Sequence, residues 1–493
     1  MSTPTMLQQR LLDGYLRYYD TAFWLRDSSM MEERRRLLRE PGRVAADVLL
    51  EPVIPYVSST PIADACSTAG LDASLAGQLA AALFDVDGQP ADQTFVLRRH
   101  QAEALTSSLQ PGRANERNPI VTAGTGSGKT EAFLLPILAR LLAESDGWQS
   151  SADELNPWWR RPQQGWWPLR EQELRPAATR AMVLYPTNAL VEDQMTRLRH
   201  AIWAIEANGG PQLWFGRYTG ATLGSGELPP ARRDAERVGA QLRELEEERA
   251  ALVDADTEVL AQFPDPVRGE MLCRWDMIAH PPDVLVTNYS MLNVVLMRDV
   301  EEPLFDQTRL WLQSPENVFT LVVDELHLYR GTQGSEVALV VRNLLSRLGL
   351  EPDSPQLRIV GTSASLDHDA SGLDYLEQFF GVPRESFLII PGERQRIDAS
   401  LPVSRSRVLA SDGSAAGLTE MLDDLRLDEA LAAACTDDEG NTRATPVRAI
   451  ADRLFDEADD GQALDLALRA VGHQDRLPRT TIPYRAHLSR IHR

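Results

Sequence analysis

The sequence predicts an α/β protein, a doubly wound parallel sheet with helical N-terminal and C-terminal accessory regions. Three observations carry that expectation. From about residue 118, short apolar runs alternate with longer helical ones, as in "PIVTAG" followed by "GKTEAFLLPILARLL". The short runs are continuously apolar, the pattern of strands buried on both faces. Polar residues gather where each short run ends, the edge at which a parallel sheet displays its functional loops.

Taken in order, residues 1–94 read as mostly helical. "LLDGYLRYYDTAFWL" and "SLAGQLAAALF" repeat apolar residues every three or four positions, and the Pro-rich "EPVIPYVSSTPIAD" separates them. Residues 95–391 hold the sheet, with strands expected at "PIVTAG", "RAMVLYP", "DVLVTNY", "FTLVVDE" and "LRIVGTSAS". Two insertions are expected within it, at about 145–179 and 222–280. The first contains "NPWWRRPQQGWWPLR", whose tryptophans are expected to pack on their own domain; stacking of single-stranded bases is the competing reading. The second contains the acidic helical run "RRDAERVGAQLRELEEERAALVDADTE", an insertion surface or partner dock. Residues 392–493 are helical and acidic and lack a strand rhythm.

Bulk composition narrows the class. At 493 residues, roughly two to four domains are expected. A net charge of −22 argues against a wholly basic nucleic-acid coat and leaves room for a local arginine-lined groove. Cys66, Cys273 and Cys435 form no CxxC pair, which fits a reducing compartment and supplies no zinc site. The N-terminus lacks an apolar signal segment, and the longest apolar stretch, "AFLLPILARLLA", is too short to span a bilayer. A soluble, cytoplasmic protein with no membrane partner is expected.

The chemistry begins at "AGTGSGKT", residues 123–130, which contains the only lysine of the chain against 49 arginines. Either cation serves on a solvated surface, but a compact ammonium on a flexible stem enters a narrow phosphate-lined loop that a planar guanidinium does not. The loop stands between a strand and a helix, the setting of a phosphate-binding loop. Gly124, Thr125, Gly126, Ser127, Gly128 and Lys129 would wrap the phosphates of ATP through backbone N–H groups and the helix N-terminus. Lys129 would neutralise phosphate oxygens, and the Thr130 hydroxyl would hold Mg²⁺. The strict pattern asks for glycine where Ala123 stands.

"FTLVVDELH" supplies the other half, because its apolar strand delivers Asp324 and Glu325 at the edge where the phosphate loop lies. Asp324 would hold the Mg²⁺ hydration shell, and Glu325 would orient or deprotonate the attacking water. The literal string "DEAD" at 456–459 follows the helical, charged "AIADRLF", with no strand to aim its acids, and reads as a solvated helix face.

In order along the chain, "AGTGSGKT", "PTNAL" (186–190), "VTNYSML" (286–292), "DELH" (324–327) and "TSAS" (362–365) resemble superfamily 2 DEAD/DEAH-box helicases. "VVDELHLYRGTQGSEVA" and "LYPTNALVEDQ" look like the bacterial YprA-like branch, which includes helicases associated with phage defence. The resemblance covers about 95–390 and implies a RecA-like P-loop NTPase lobe. It implies that Gln101 reads adenine, with Arg98 or Arg99 nearby. Pro186, Thr187 and Asn188, then Thr287 and Asn288, would grip a nucleic-acid backbone, DNA rather than RNA, with helix capping as the competing reading for the "TN" pairs. Ser363 and Ser365 would link hydrolysis to lobe movement with His327 as partner, although the family usually has threonine where Ser365 stands.

Motors of this type hydrolyse ATP between two lobes, and the second normally supplies arginines in a pattern close to "QxxGRxGR". No such pattern follows residue 365, and "IPYRAHLSRIHR" looks like a lead-in to a second lobe. The chain is therefore expected to be the N-terminal part of a longer helicase or one subunit of a split one. The alternative is a nucleotide-gated nucleic-acid-binding or scaffolding subunit that does not translocate.

Overall fold

The computed structural model describes residues 3–40, 42–86, 89–110, 114–124, 126–148, 155–252, 256–397, 401–437, 440, 442–458, 461–472 and 484–487. The chain forms two compact units, Val57–Glu393 and a second built from Met1–Tyr56 with Arg394–Arg493.

The first unit is organised by one eight-stranded sheet. In chain order its strands are β1 (Asn118–Thr122), β2 (Ala181–Tyr185), β3 (Phe215–Tyr218), β4 (Glu270–Met271), β5 (Val284–Asn288), β6 (Phe319–Val323), β7 (Leu357–Ser363) and β8 (Phe387–Pro391). Across the sheet the order is β8-β1-β7-β6-β2-β5-β3-β4, and all neighbours pair in parallel. The strands β2, β5, β6 and β7 are buried along their whole length, which is why they are mostly apolar.

Helices lie on both faces. They include α1 (Arg99–Leu109), α2 (Lys129–Ser145), α3 (Asn188–Ala207), α4 (Arg232–Ala250), α5 (Arg274–Ala279), α6 (Tyr289–Leu296), α7 (Gly331–Leu348) and α8 (Ala370–Phe380). On one face Phe133 and Leu138 of α2 and Ile202 of α3 meet Val183, Val322 and Val360 of the sheet. On the other, Val341 of α7 and Phe379 of α8 meet Leu184, Leu321 and Ile359. Successive strand residues point to opposite faces, so one strand feeds both cores.

Three strands, β3, β4 and β8, fall outside the five apolar runs of the sequence. β4 has two residues and opens on charged Glu270, so it has no apolar pattern to read. Its acid is buried by a bidentate pair with Arg199 of α3, both contacts 2.8 Å. β8 ends in Pro391 and sits at a sheet edge, where a missing N–H is tolerated.

The tryptophan insertion packs inward, as its composition favours. Trp158 and Trp159 are buried, and Gly239 of α4 lies so close that an added Cβ would stand 3.2 Å from the Trp158 ring. The indole N–H groups of Trp158 and Trp166 donate to the two oxygens of Asp276 at 3.1 and 3.0 Å. Burial pushes the Asp276 carboxyl up to about 7. Trp159 donates to Glu246 of α4, so the acidic helix is bolted to the insertion on one side.

The second unit departs from the expected division into 1–94 and 392–493. Leu49–Pro52 pairs antiparallel with both Thr445–Pro446 and Tyr484–His487. Val48 and Leu50 share a core with Leu422, Leu431, Ile450 and Leu468. Residues 57–94 belong instead with the large sheet unit, where Ile62 and Leu79 pack with Leu105 and Phe133. Pairing between segments this remote leaves no local periodicity, so the boundary at 94 was not legible. Tyr484–His487 lies within the segment read as a lead-in to a second lobe. The described part of the 456–459 string is exposed and follows a helix, with Asp456 accepting from the Arg405 N–H at 2.9 Å; Asp459 lies outside the described residues.

Candidate nucleotide site and coupling residues

The loops that leave β1, β6 and β7 meet at one end of the sheet. β7 lies between the other two, pairing with β1 through Gly361–Ser363 and with β6 through Leu357–Gly361. The loop after β1 turns through Gly126 and Gly128, both left-handed at φ +77° and +75°, and enters α2 at Lys129. The left-handed backbone favours glycine at Gly128, and a Cβ there would stand 2.4 Å from Gln101 Nε2, displacing the amide that now bonds the loop. Thr125 lies outside the described residues. Gly124 is half-buried at the start of the turn, and Thr130 is the second residue of α2.

Lys129, Asp324 and Glu325 come together. Lys129 Nζ stands 3.0 Å from Glu325 Oε1, with both side chains largely buried. Asp324 is 6% exposed, and burial raises its carboxyl above the usual range, opposed by a Thr362 hydrogen bond and by Lys129. Glu325 adopts φ +53°, unusual for a residue with a side chain. The Thr362 hydroxyl donates to Asp324 Oδ1 and accepts the Glu325 N–H at 3.1 Å.

His327 faces Glu325. Its Nδ1 accepts the Ala364 N–H at 3.3 Å and lies 3.1 Å from Glu325 Oε2. A nitrogen acting as acceptor offers that oxygen no hydrogen, and Glu325 Oε2 is buried without a hydrogen-bond partner among the described residues. The Ser127 hydroxyl is buried and unpartnered in the same sense. Orphaned polar atoms beside a lysine and a left-handed glycine loop fit a phosphate ester with its hydrated cation.

The start of α1 holds the loop from outside. Arg98 Nη1 donates to Gly126 O at 3.1 Å, His100 Nε2 to Ser127 O at 2.8 Å, and Gln101 Nε2 to Gly128 O at 3.2 Å. Burial pushes His100 down to about 4, so the ring is neutral and Nε2 carries the hydrogen. Gln101 also accepts the Arg98 N–H at 3.1 Å. Its amide is thus engaged by the loop and the helix start. Arg99 turns away, pairing with Glu103 and Glu393 at 2.9 and 2.7 Å. The sequence pointed to Gln101 and the neighbouring arginines; His100 carried no signal beyond standing beside Gln101.

The proposed backbone grips divide by exposure. Thr187 and Asn188 open α3 on the surface, with Pro186 half-buried before them. Thr287 is buried, and its hydroxyl donates to Tyr218 O at 2.7 Å. Asn288 caps α6 by accepting the Met291 N–H at 2.8 Å, and its Nδ2 donates to Asn188 Oδ1 at 2.5 Å. The capping reading therefore describes Asn288, and one hydrogen bond between side-chain amides joins the two segments. Ser363 is buried and Ser365 exposed; Ser363 Oγ accepts the Ser365 N–H at 3.3 Å, and Arg330 donates to Ser365 O at 2.8 Å. His327 reaches this segment through the Ala364 backbone rather than through either serine hydroxyl.

A phosphate loop, a strand-borne acid pair and a lysine between them on a parallel sheet are the arrangement of a P-loop nucleotide-binding site. Residues 98–213 match the DEAD/DEAH box helicase family. That stretch, Arg98 to Leu213, takes in the phosphate loop and the strand after it and is what the chain shares with DEAD/DEAH-box helicases. Over 446 residues the chain is 30% identical to the Druantia protein DruE of Escherichia coli, a match covering 78% of this chain and 22% of that protein. The chain thus spans about a fifth of the length of that curated relative. Among solved structures, the DUF1998 helicase MrfA bound to DNA is 19% identical, covering 72% of this chain and 31% of that one with a TM-score of 0.38. The DEAD-box helicase Mss116 bound to ssRNA and UDP-BeF is 14% identical, covering 68% and 49% with a TM-score of 0.35. Among the described residues no helix is long and apolar enough to cross a membrane.

Proposed function

We propose that this chain is the ATP-binding part of a helicase or translocase that couples ATP hydrolysis to movement on DNA once a second RecA-like lobe is present. The observation that carries the reading is the 3.0 Å approach of the lone lysine to Glu325 beside buried Asp324. Bound Mg²⁺–ATP would supply the scissile phosphoanhydride and the cation that polarises it. Lys129 would place its ammonium against the phosphate oxygens. The Thr130 hydroxyl and the Asp324 carboxylate would hold the cation and its water. Glu325 Oε2, buried and without a hydrogen-bond partner among the described residues, would accept the proton of the attacking water. The surface formed by Thr187 and Asn188, with Asn288 behind it, supports backbone contact with a single strand, and Gln101 would meet the adenine by exchanging one of its present bonds. The YprA-like resemblance and the likeness to DruE support a bacterial branch with a role in phage defence, with DNA repair as the alternative setting.

Transition-state arginines supplied from outside the lobe contribute roughly 10³ to 10⁵ in rate. The chain by itself is therefore expected to bind ATP, to turn over very slowly, and not to unwind duplexes. Steady-state ATPase assays with and without single-stranded DNA measure this, and robust DNA-stimulated turnover would refute it. Glu325→Gln separates a motor from a scaffold: a motor assembled with its second lobe stalls ATP-bound on nucleic acid, whereas a scaffold keeps its partner function.

A further inference from the structure

Thr362 stands one residue before the serines to which the sequence assigned coupling. It is the penultimate residue of β7, the strand between the phosphate-loop strand and the acid-bearing strand, and is fully buried. Its register partner in β1 is Val121, while Gly361 before it faces both Ile120 and Val323. A hydroxyl has one hydrogen to give and lone pairs to accept with. Here the hydrogen goes to Asp324 Oδ1, and a lone pair takes the Glu325 N–H at 3.1 Å. The two adjacent acids are thus tied to one oxygen atom, one through its side chain and the other through its backbone.

The second tie matters because of the backbone it holds. Glu325 has φ +53°, a left-handed conformation disfavoured for a residue with a Cβ. With that backbone, Glu325 Oε1 stands 3.0 Å from Lys129 Nζ. A relaxed backbone at Glu325 would carry the carboxylate away from the ammonium. The β-branched threonine suits the task, since a strand restricts its χ1 and its methyl group packs in the core. Serine offers the same oxygen with more rotamers; valine offers the same shape with no oxygen.

We propose that Thr362 is a positioning residue that sets both acids of the nucleotide site from one hydroxyl, fixing Asp324 for the hydrated cation and Glu325 for the attacking water. This rests on the nucleotide reading of the site and adds to it a residue outside the serine pair.

The test uses the full chain as wild type, T362V and T362S, each first checked for folding by circular dichroism. Affinity for a fluorescent ATP analogue is measured in EDTA and across a Mg²⁺ titration, and hydrolysis is followed under single-turnover conditions. T362V is expected to bind within about twofold of wild type in EDTA, to need about tenfold more Mg²⁺, and to hydrolyse about 10- to 100-fold more slowly. T362S is expected within about threefold of wild type on both readouts. A folded T362V with the wild-type Mg²⁺ midpoint and rate overturns the proposal, as does T362S as impaired as T362V, since packing and not the hydroxyl would then matter. If T362V does not fold, T362C, which weakens both bonds, takes its place with the same two outcomes. Wild-type protein that fails to bind the analogue even with Mg²⁺ overturns the nucleotide site itself, whereas normal wild-type binding with an indifferent variant overturns only the role of Thr362.

Discussion

Lys129→Arg is the sharpest perturbation of the site, because it keeps the charge and changes only its shape. The chain tolerates arginine at every other basic position, so an effect here cannot come from charge alone. Lys129 is about 10% exposed on its side chain, and its ammonium already lies 3.0 Å from Glu325. The loop before it is held on its outer side by Arg98, His100 and Gln101, so the backbone has little freedom to move aside for a bulkier group. A charge-assisted hydrogen bond contributes about 1.5–3 kcal/mol, and losing its geometry at a phosphate corresponds to roughly a 10- to 150-fold weaker Kd. The assay is titration of a fluorescent ATP analogue with Mg²⁺ present, on protein whose thermal unfolding matches wild type. Binding of the arginine variant within threefold of wild type would mean that the position does not contact phosphate, and the physical reading of the lone lysine would fall with it.

Two further outcomes follow from other parts of the fold. Asp276 is held up to about 7 in the folded chain against an ordinary 3.8, so the fold keeps a proton that the unfolded chain releases. Its contribution is fully present below pH 4 and is lost as pH climbs through 7, a change on the order of 4 kcal/mol. Asp276→Asn should flatten the dependence of Tm on pH between 4.5 and 8, and an unchanged slope would show that another group sets it. Asn288→Ala removes the α6 cap and the bond to Asn188, costing about 1 kcal/mol of stability and weakening single-stranded DNA binding in fluorescence anisotropy. Loss of stability with unchanged binding would leave Asn288 as a cap only.

Much of the site was legible because its chemistry is local. A glycine loop ahead of a helix, and two acids at the end of an apolar strand, are each contiguous in sequence, and their meeting follows from the order of a parallel sheet. Thr362 and His100 were not legible. A threonine in a strand has the β-branched shape strands favour, and a histidine on a helix has many ordinary reasons to be there. Only the register of β7 against β6 shows that the hydroxyl serves two acids. Thr287 shows the converse: its motif promised a surface contact, and the packing of β5 beside β3 turned the hydroxyl to a carbonyl inside the sheet. The tryptophans were ambiguous in sequence because an indole stacks on a base or fills a core equally well. Asp276, remote in the chain, decides for the core by accepting two of their N–H groups.

Periodicity, the glycine loop, the acid pair and the one retained lysine determined by themselves the sheet class and the strands that bear the loop and the acids, since each depends on neighbours within a few residues. Tertiary structure alone decided which edge strands complete the sheet, where the two units divide, and which side chains hold the acids and the loop in place. Those outcomes depend on hydrogen-bond partners and buried contacts between segments tens to hundreds of residues apart. Leu50 in the accessory unit, paired with residues near both 445 and 486, leaves no mark on the sequence around it.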